Sequence, residues 1–242
     1  MIPKKIHYCW LSDEEMPEKL KKCVESWKKY LPDYELIKWD LKRFPLEKSL
    51  WVKQAFECKK YAFAADYIRL YALSTEGGIY LDSDVEVLKS YNDLLHLPYF
   101  ICKENSPEGI EAATIGAEIG CEWIKKCLEQ YEGRAFINED GSMNTKVLPV
   151  VLEQIICKNY NLELICKPSE FTKESDKVFM LPCDYFSPKS YVTKKLKLTE
   201  NTYSIHHFAG SWQPLWIKLL LYIWIPFKTA FPSIANKIKT YK

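Results

Sequence analysis

The sequence predicts an α/β fold with a mainly parallel sheet. Three observations carry this. The chain opens β-α-β, a long apolar helix runs into a Gly-Gly pair, and a short buried strand follows at once. The 242 residues are 48% hydrophobic, which supplies a substantial core. No Ser/Gly-rich linker and no internal repeat divides them, so one compact domain over 1–213 is expected, followed by a distinct apolar and basic tail over 214–242.

The elements follow in order. "KKIHYCW" alternates, with Ile6, Tyr8 and Trp10 on one face and His7 on the other, and reads as a first strand. From Pro17 to Leu31, the residues Leu20, Cys23, Val24, Trp27 and Leu31 recur at helical spacing, in a helix started by Pro17 in its first turn and closed before Pro32. "YELIKW" is a second strand. Ser49 to Thr75 is helical with a break near Lys59 and Lys60, and Gly77-Gly78 stops it. "IYL" is then a buried strand with Asp82 and Asp84 at its carboxyl end, where open α/β sheets bind ligands. Further on, a strand near Tyr99–Cys102, helices over 118–131 and 147–157, and a strand in "YSIHHF" are expected.

Charge and cysteine content exclude some classes. A formal net charge of +2 lacks the basic excess of a nucleic-acid binder. Nine cysteines without a CxxC pair, behind a first segment too short in apolar residues for a secretory signal, predict reduced thiols in a cytoplasmic protein.

The chemistry concentrates in three places. Asp82 and Asp84 stand one residue apart, and on a regular strand they point the same way. Carboxylates that close repel unless a cation lies between them or one keeps its proton. Mg²⁺ and Mn²⁺ take such oxygen ligands together with substrate phosphates. The plain alternative is a polar turn with two solvated aspartates. Upstream, "YAFAADYIRLYAL" has only two charges, Asp66 and Arg69, three apart on one face of an apolar helix. They either pair with each other or face the cleft beside Asp82, the carboxylate toward sugar hydroxyls and the guanidinium toward phosphate. Near the end of the described motifs, "SIHHFAGSW" sets His206 beside His207. Neighbours on a strand face opposite ways, so at most one reaches a given metal.

Together "IPKKIHYCW", "KKCVESWKKYLPDYELIKWD", "KKYAFAADYIRLYALSTEGGIYLDSDVEVLK" and "YSIHHFAGSW" resemble glycosyltransferase family 32, in order over most of residues 2–212. The resemblance implies a GT-A fold, Rossmann-like, that binds a nucleotide-sugar donor with Mn²⁺ or Mg²⁺ and transfers the sugar with retention. It implies Tyr8 and Trp10 against the nucleoside base, Asp66 and Arg69 at the donor sugar, Asp82 and Asp84 as the DxD, His207 completing the metal site, and Trp212 near the diphosphate. Asp66, Arg69 and Asp82 are the expected catalytic set. A UDP-sugar is the expected donor, and the acceptor a glycan or lipid-linked glycan of a bacterial capsule or surface polysaccharide. The middle of the chain departs from the family: "AATIGAEIG" and "DGSMNTKVLPVV" give no clean match to its usual segments.

Two other readings compete. A haloacid-dehalogenase-type phosphatase also uses DxD after an apolar strand. It wants Thr or Val two residues after the second Asp, where Glu86 stands here, and keeps the motif on its first strand. An inactive sugar-binding protein of the same fold is disfavoured by the intact residue set. The tail, "PLWIKLLLYIWIPFKTAFPSIANKIKTYK", carries five lysines and no acidic residue. Its apolar run is shorter than the ~20 residues that span a bilayer. It is expected either to pack on the domain or to lie on an anionic membrane at the inner face of the cell membrane.

Overall fold

The computed structural model describes residues 1–106 and 109–210. The tail over 214–242 and Trp212 lie outside the described residues. The elements run β1 (Lys5–Cys9), α1 (Glu18–Tyr30), β2 (Glu35–Trp39), α2 (Leu50–Glu57), α3 (Tyr61–Glu76), β3 (Gly78–Leu81) and β4 (Val85–Val87). They continue β5 (Tyr99–Phe100), β6 (Thr114–Ala117), α4 (Glu122–Glu129), α5 (Leu148–Asn159), β7 (Asn161–Leu164), β8 (Lys177–Met180) and β9 (Ser204–His206).

The central sheet has the order β2-β1-β3-β6-β5. β1 pairs in parallel with β2 and β3, and β6 runs antiparallel to both β3 and β5. Four of the five strands therefore share one direction, and the expected mainly parallel sheet is present with β6 as its single reversed member. Two smaller ladders, β4-β9 and β7-β8, complete the strands among the described residues.

Core side chains fill both faces of this sheet. On one face α2, α3, α4 and α5 pack through Trp51, Phe63, Ile68, Leu73, Trp123 and Leu152. On the other, α1 packs through Trp27 and Leu31 against Ile6, Ile79, Leu81 and Val85. Trp27 is fully buried, and its indole N–H donates to the Val85 carbonyl at 2.7 Å. Full burial of one such side chain is worth about 1.5–3 kcal/mol, so this residue fixes α1 over β4. All nine cysteines are unpaired, and Cys23, Cys102 and Cys127 are buried as small apolar groups.

Local chemistry explains where α2 and α3 begin and end. The Ser49 hydroxyl accepts the Val52 N–H at the start of α2. Lys59 takes a left-handed φ of 57°, which breaks the helix at the expected place. Gly77, with φ 61°, ends α3, and Gly78 follows with φ 110°. A Cβ on Gly78 would lie 2.8 Å from the Lys5 carbonyl oxygen, so only glycine lets helix pass into strand without a linker. His7, fully buried behind this turn, holds it. Its Nε2 lies 2.7 Å from the Gly77 carbonyl and its Nδ1 accepts the Trp39 indole N–H at 3.0 Å. Burial lowers the His7 pKa, keeping the ring in the neutral form this bonding needs.

Three sequence expectations are corrected. Pro17 precedes α1 as its N-cap residue rather than opening its first turn. The helix expected over 118–131 is shorter, because Gly120, with φ 76°, delays its start. The strand "IYL" ends at Leu81 as expected, but strand alternation does not carry on through the two aspartates. Asp82–Asp84 form a turn closed by the Val85 N–H on the Asp82 carbonyl at 2.9 Å, and β4 begins beyond it.

Candidate functional site

Five elements converge on the Asp82–Asp84 turn. β3 delivers Asp82, whose backbone N–H donates to the Ala113 carbonyl at 2.9 Å, at the end of the chain entering β6. α3 brings Arg69, which is 4% exposed. One guanidinium nitrogen of Arg69 donates to Asp82 Oδ1 at 2.9 Å, and the other bonds the Ala112 carbonyl. The guanidinium also stacks over the Tyr80 ring, 4.4 Å from its centre, and the Tyr80 hydroxyl donates to Asp82 Oδ1 at 3.1 Å. Asp82 is thus held from two sides.

Asp66, one turn earlier on α3, lies 3.5 Å from Arg69. Arg69 thus pairs within its own helix and also reaches the turn. Arg69 sits closer to Asp82 than to Asp66, so the guanidinium ties helix to turn rather than serving only its own helix. Burial raises the Asp66 carboxyl to about 7, against the pull of Arg69. Asp82 is raised for the same reason, with Arg69 opposing and Asp84 adding to the rise. Two carboxylates with raised pKa values, one of them beside a third, make a site that gains from an added cation.

β9 closes the site from the far end of the chain. It pairs antiparallel with β4, Val85 opposite His206 and Glu86 opposite Ile205. Opposed residues of a ladder share a face, and Val85 is fully buried, so His206 turns inward. Its Nε2 lies 3.6 Å from Asp84 Oδ1. The following backbone clamps Asp84: the His207 N–H donates to its carbonyl at 3.1 Å, and the Ala209 N–H to its carboxylate at 2.8 Å. Burial depresses the His206 imidazole, but Glu111 and Asp84 outweigh it and lift the group to about 10.

The expected metal set Asp82, Asp84 and His207 is therefore revised in one member. Ligand atoms of Asp82, Asp84 and His206 lie within 4.8 Å of one another. His207 points away, its Nε2 2.8 Å from Glu86 on β4. Two carboxylates and an imidazole are a donor set that suits Mn²⁺ or Mg²⁺, so the residues present fit a divalent ion.

At the head of the sheet, Tyr8 and Trp10 are both half-buried. Tyr8 meets the Trp27 ring edge-on at 5.4 Å, and the Trp10 indole N–H donates to the Glu14 carbonyl at 3.0 Å. Cys9, between them, faces Tyr80, and burial pushes its thiol up to about 12. Sequence reasoning missed Tyr80, Glu104 and Glu111. The buried Glu111 is the only charge in "IEAATIGA", the same signal that marked Asp66 and Arg69 in their helix. Glu104, raised to about 7 by burial and by Glu111, stands beside it.

Residues 17–101 match the family described as "Glycosyltransferase sugar-binding region containing DXD motif". The chain is 31% identical over 139 residues to inositol phosphoceramide mannosyltransferase 3 of Schizosaccharomyces pombe, covering 56% of this chain and 38% of that protein. It is 33% identical over 121 residues to the mannosyl phosphorylinositol ceramide synthase SUR1 of Saccharomyces cerevisiae, covering 48% and 31%. The matches thus span about a third of the length of these relatives. Among solved structures, PaToxG glycosyltransferase superposes with a TM-score of 0.51 at 24% identity, over 65% of this chain and 68% of that one, which shows the α/β, GT-A-like fold. The matched region includes β3 and the DXD turn after it, so the similarity to DXD-containing glycosyltransferases extends over the candidate site.

Proposed function

We propose that the protein is a metal-dependent, retaining glycosyltransferase. It moves a hexose from a nucleotide-sugar, with UDP as the carrier, to a glycan or lipid-linked glycan. The observation that carries this reading is the half-buried turn where Asp82, Asp84 and His206 bring ligand atoms within 4.8 Å at the carboxyl end of a parallel strand. A bound Mn²⁺ would neutralise the diphosphate as it leaves.

The remaining work falls to side chains. Arg69 and Tyr80 fix Asp82 in one orientation. Asp66, buried beside Arg69, would accept hydroxyls of the donor sugar. Tyr8 and Trp10 offer flat surface to the base, a contact worth about 1–3 kcal/mol in other base-stacking sites. Trp212 is assigned to the diphosphate by the family resemblance. The two yeast relatives are named for transfer to inositol phosphoceramides, which supports a lipid-linked acceptor. The lysine-rich tail over 214–242 would hold the enzyme at an anionic membrane surface, at the inner face of the cell membrane, in surface-polysaccharide assembly. No helix among the described residues is long and apolar enough to cross a membrane.

A thermal-shift screen of nucleotide-sugars with and without Mn²⁺ tests the proposal. A donor present at 100 times its Kd raises stability by about 2.7 kcal/mol. The expected result is a shift from a nucleotide-sugar, beyond any from metal alone, that appears only when metal is present. No shift with any donor would overturn the reading.

A further inference from the structure

Glu111 lies outside the DXD motif and contacts neither aspartate in the geometry above. It is nevertheless a fully buried carboxylate. Ionised groups are almost never fully buried unless they are paired. Its partners are specific. The Ala113 N–H donates to Oε1 at 2.8 Å, which fixes the carboxylate on the same short segment that receives the Asp82 N–H. Its two oxygens lie 3.1 and 3.2 Å from His206 Nδ1. The other ring nitrogen of His206 faces Asp84. Glu111, His206 and the DXD turn therefore form a line: carboxylate, imidazole, acidic pair.

Resting on the metal-site reading above, we propose that Glu111 is the positioning residue of that site. It takes the Nδ1 proton of His206 in a hydrogen bond and so leaves the Nε2 lone pair aimed at the ion held by Asp82 and Asp84. Carboxylates behind metal-bound histidines fix the ring's tautomer and rotation in this way, and losing one costs 10–100-fold in affinity. The burial supports the assignment. A solvent-facing residue could not hold the ring in one orientation, whereas Glu111 is anchored by backbone on one side and by imidazole on the other. Its neighbour Glu104 belongs to the same acidic wall, with ligand atoms of Glu104, Glu111 and His206 within 4.8 Å of one another. Only Glu111 has a hydrogen bond to the ring.

The test is Mn²⁺ binding to the full-length protein without nucleotide, read from the free-ion electron paramagnetic resonance signal. Wild type is compared with Glu111→Gln, His206→Ala, the double variant and Asp84→Ala, each checked for folding by circular dichroism. Glu111→Gln is expected to weaken Mn²⁺ 10–100-fold in the wild-type background and to change it less than threefold when His206 is already alanine. Nitrogen-15 spectra of the Mg²⁺-loaded wild type are expected to show His206 protonated at Nδ1 alone. Equal losses from Glu111→Gln in both backgrounds, or no loss in either, would overturn the positioning role. If Glu111→Gln does not fold, protonation of His206 at Nε2 in the loaded wild type does the same. Failure of the metal reading looks different: wild type and Asp84→Ala would then bind Mn²⁺ equally weakly.

Discussion

Replacing Arg69 by methionine should be among the most damaging single changes in this domain, and the structure sets the size of the loss. The guanidinium is buried, donates to Asp82 at 2.9 Å, bonds the Ala112 carbonyl, and is the cation nearest Asp66. Methionine fills similar volume but strands the buried Asp66 carboxylate, the half-buried Asp82 carboxylate and a carbonyl. Breaking a buried ion pair by removing one partner costs about 3–5 kcal/mol. In a chain of this length, 1 kcal/mol moves Tm by about 2–4 °C, so the expected loss is about 6–20 °C. The assay is thermal unfolding by circular dichroism in metal-free buffer. The double variant with Asp66→Asn should recover part of the loss, because one stranded carboxylate is then neutral. A fall of less than about 3 °C for Arg69→Met would refute the claim that Arg69 is the internal counter-charge of the site.

Three further outcomes are expected. Asp66→Asn should cut transfer at least tenfold while leaving Tm at pH 8 unchanged or higher: the folded carboxyl titrates near 7, above its unfolded 3.8, so the stability it contributes below pH 4 is lost as pH rises through 7, and the variant should lack that decline in pH-dependent melting. Gly116→Ala should destabilise by about 1–3 kcal/mol in denaturant titration. Its Cβ would lie 2.2 Å from the Phe100 ring, which is packed against Tyr91 and Phe186. His206→Ala should weaken Mn²⁺ binding in calorimetry, whereas His207→Ala should leave it within threefold and cost about 0–1 kcal/mol of stability, because its hydrogen bond with Glu86 is partly exposed.

Much of the fold was legible because its elements are locally consistent. The spacing of Leu20, Cys23, Trp27 and Leu31 marks α1, the alternation of Ile6 and Tyr8 against His7 marks β1, and Gly77-Gly78 forces a turn that no other residue allows. Other elements carried too little local signal. β6 is four residues long and includes Gly116. β7 is only partly buried, so it lacks a clear apolar face. The site was legible as a set of residue types but not in its handedness. Strand alternation says that His206 and His207 diverge, yet only pairing with β4 decides which turns inward, and β4 itself was hidden by reading Asp82–Asp84 as strand rather than turn. Glu111 escaped because its segment departs from the family pattern, although a lone charge in an apolar run is the same signal that exposed Asp66 and Arg69.

The central claim is that the turn Asp82–Asp84 holds a divalent ion that in turn holds a nucleoside diphosphate. Isothermal titration of UDP into the full-length protein, with Mn²⁺ and with chelator, tests it most directly when wild type and Asp84→Ala are run side by side. The account predicts binding by wild type only when Mn²⁺ is present, and none by Asp84→Ala under either condition. Equal UDP affinity with and without Mn²⁺, or wild-type affinity in folded Asp84→Ala, would contradict it.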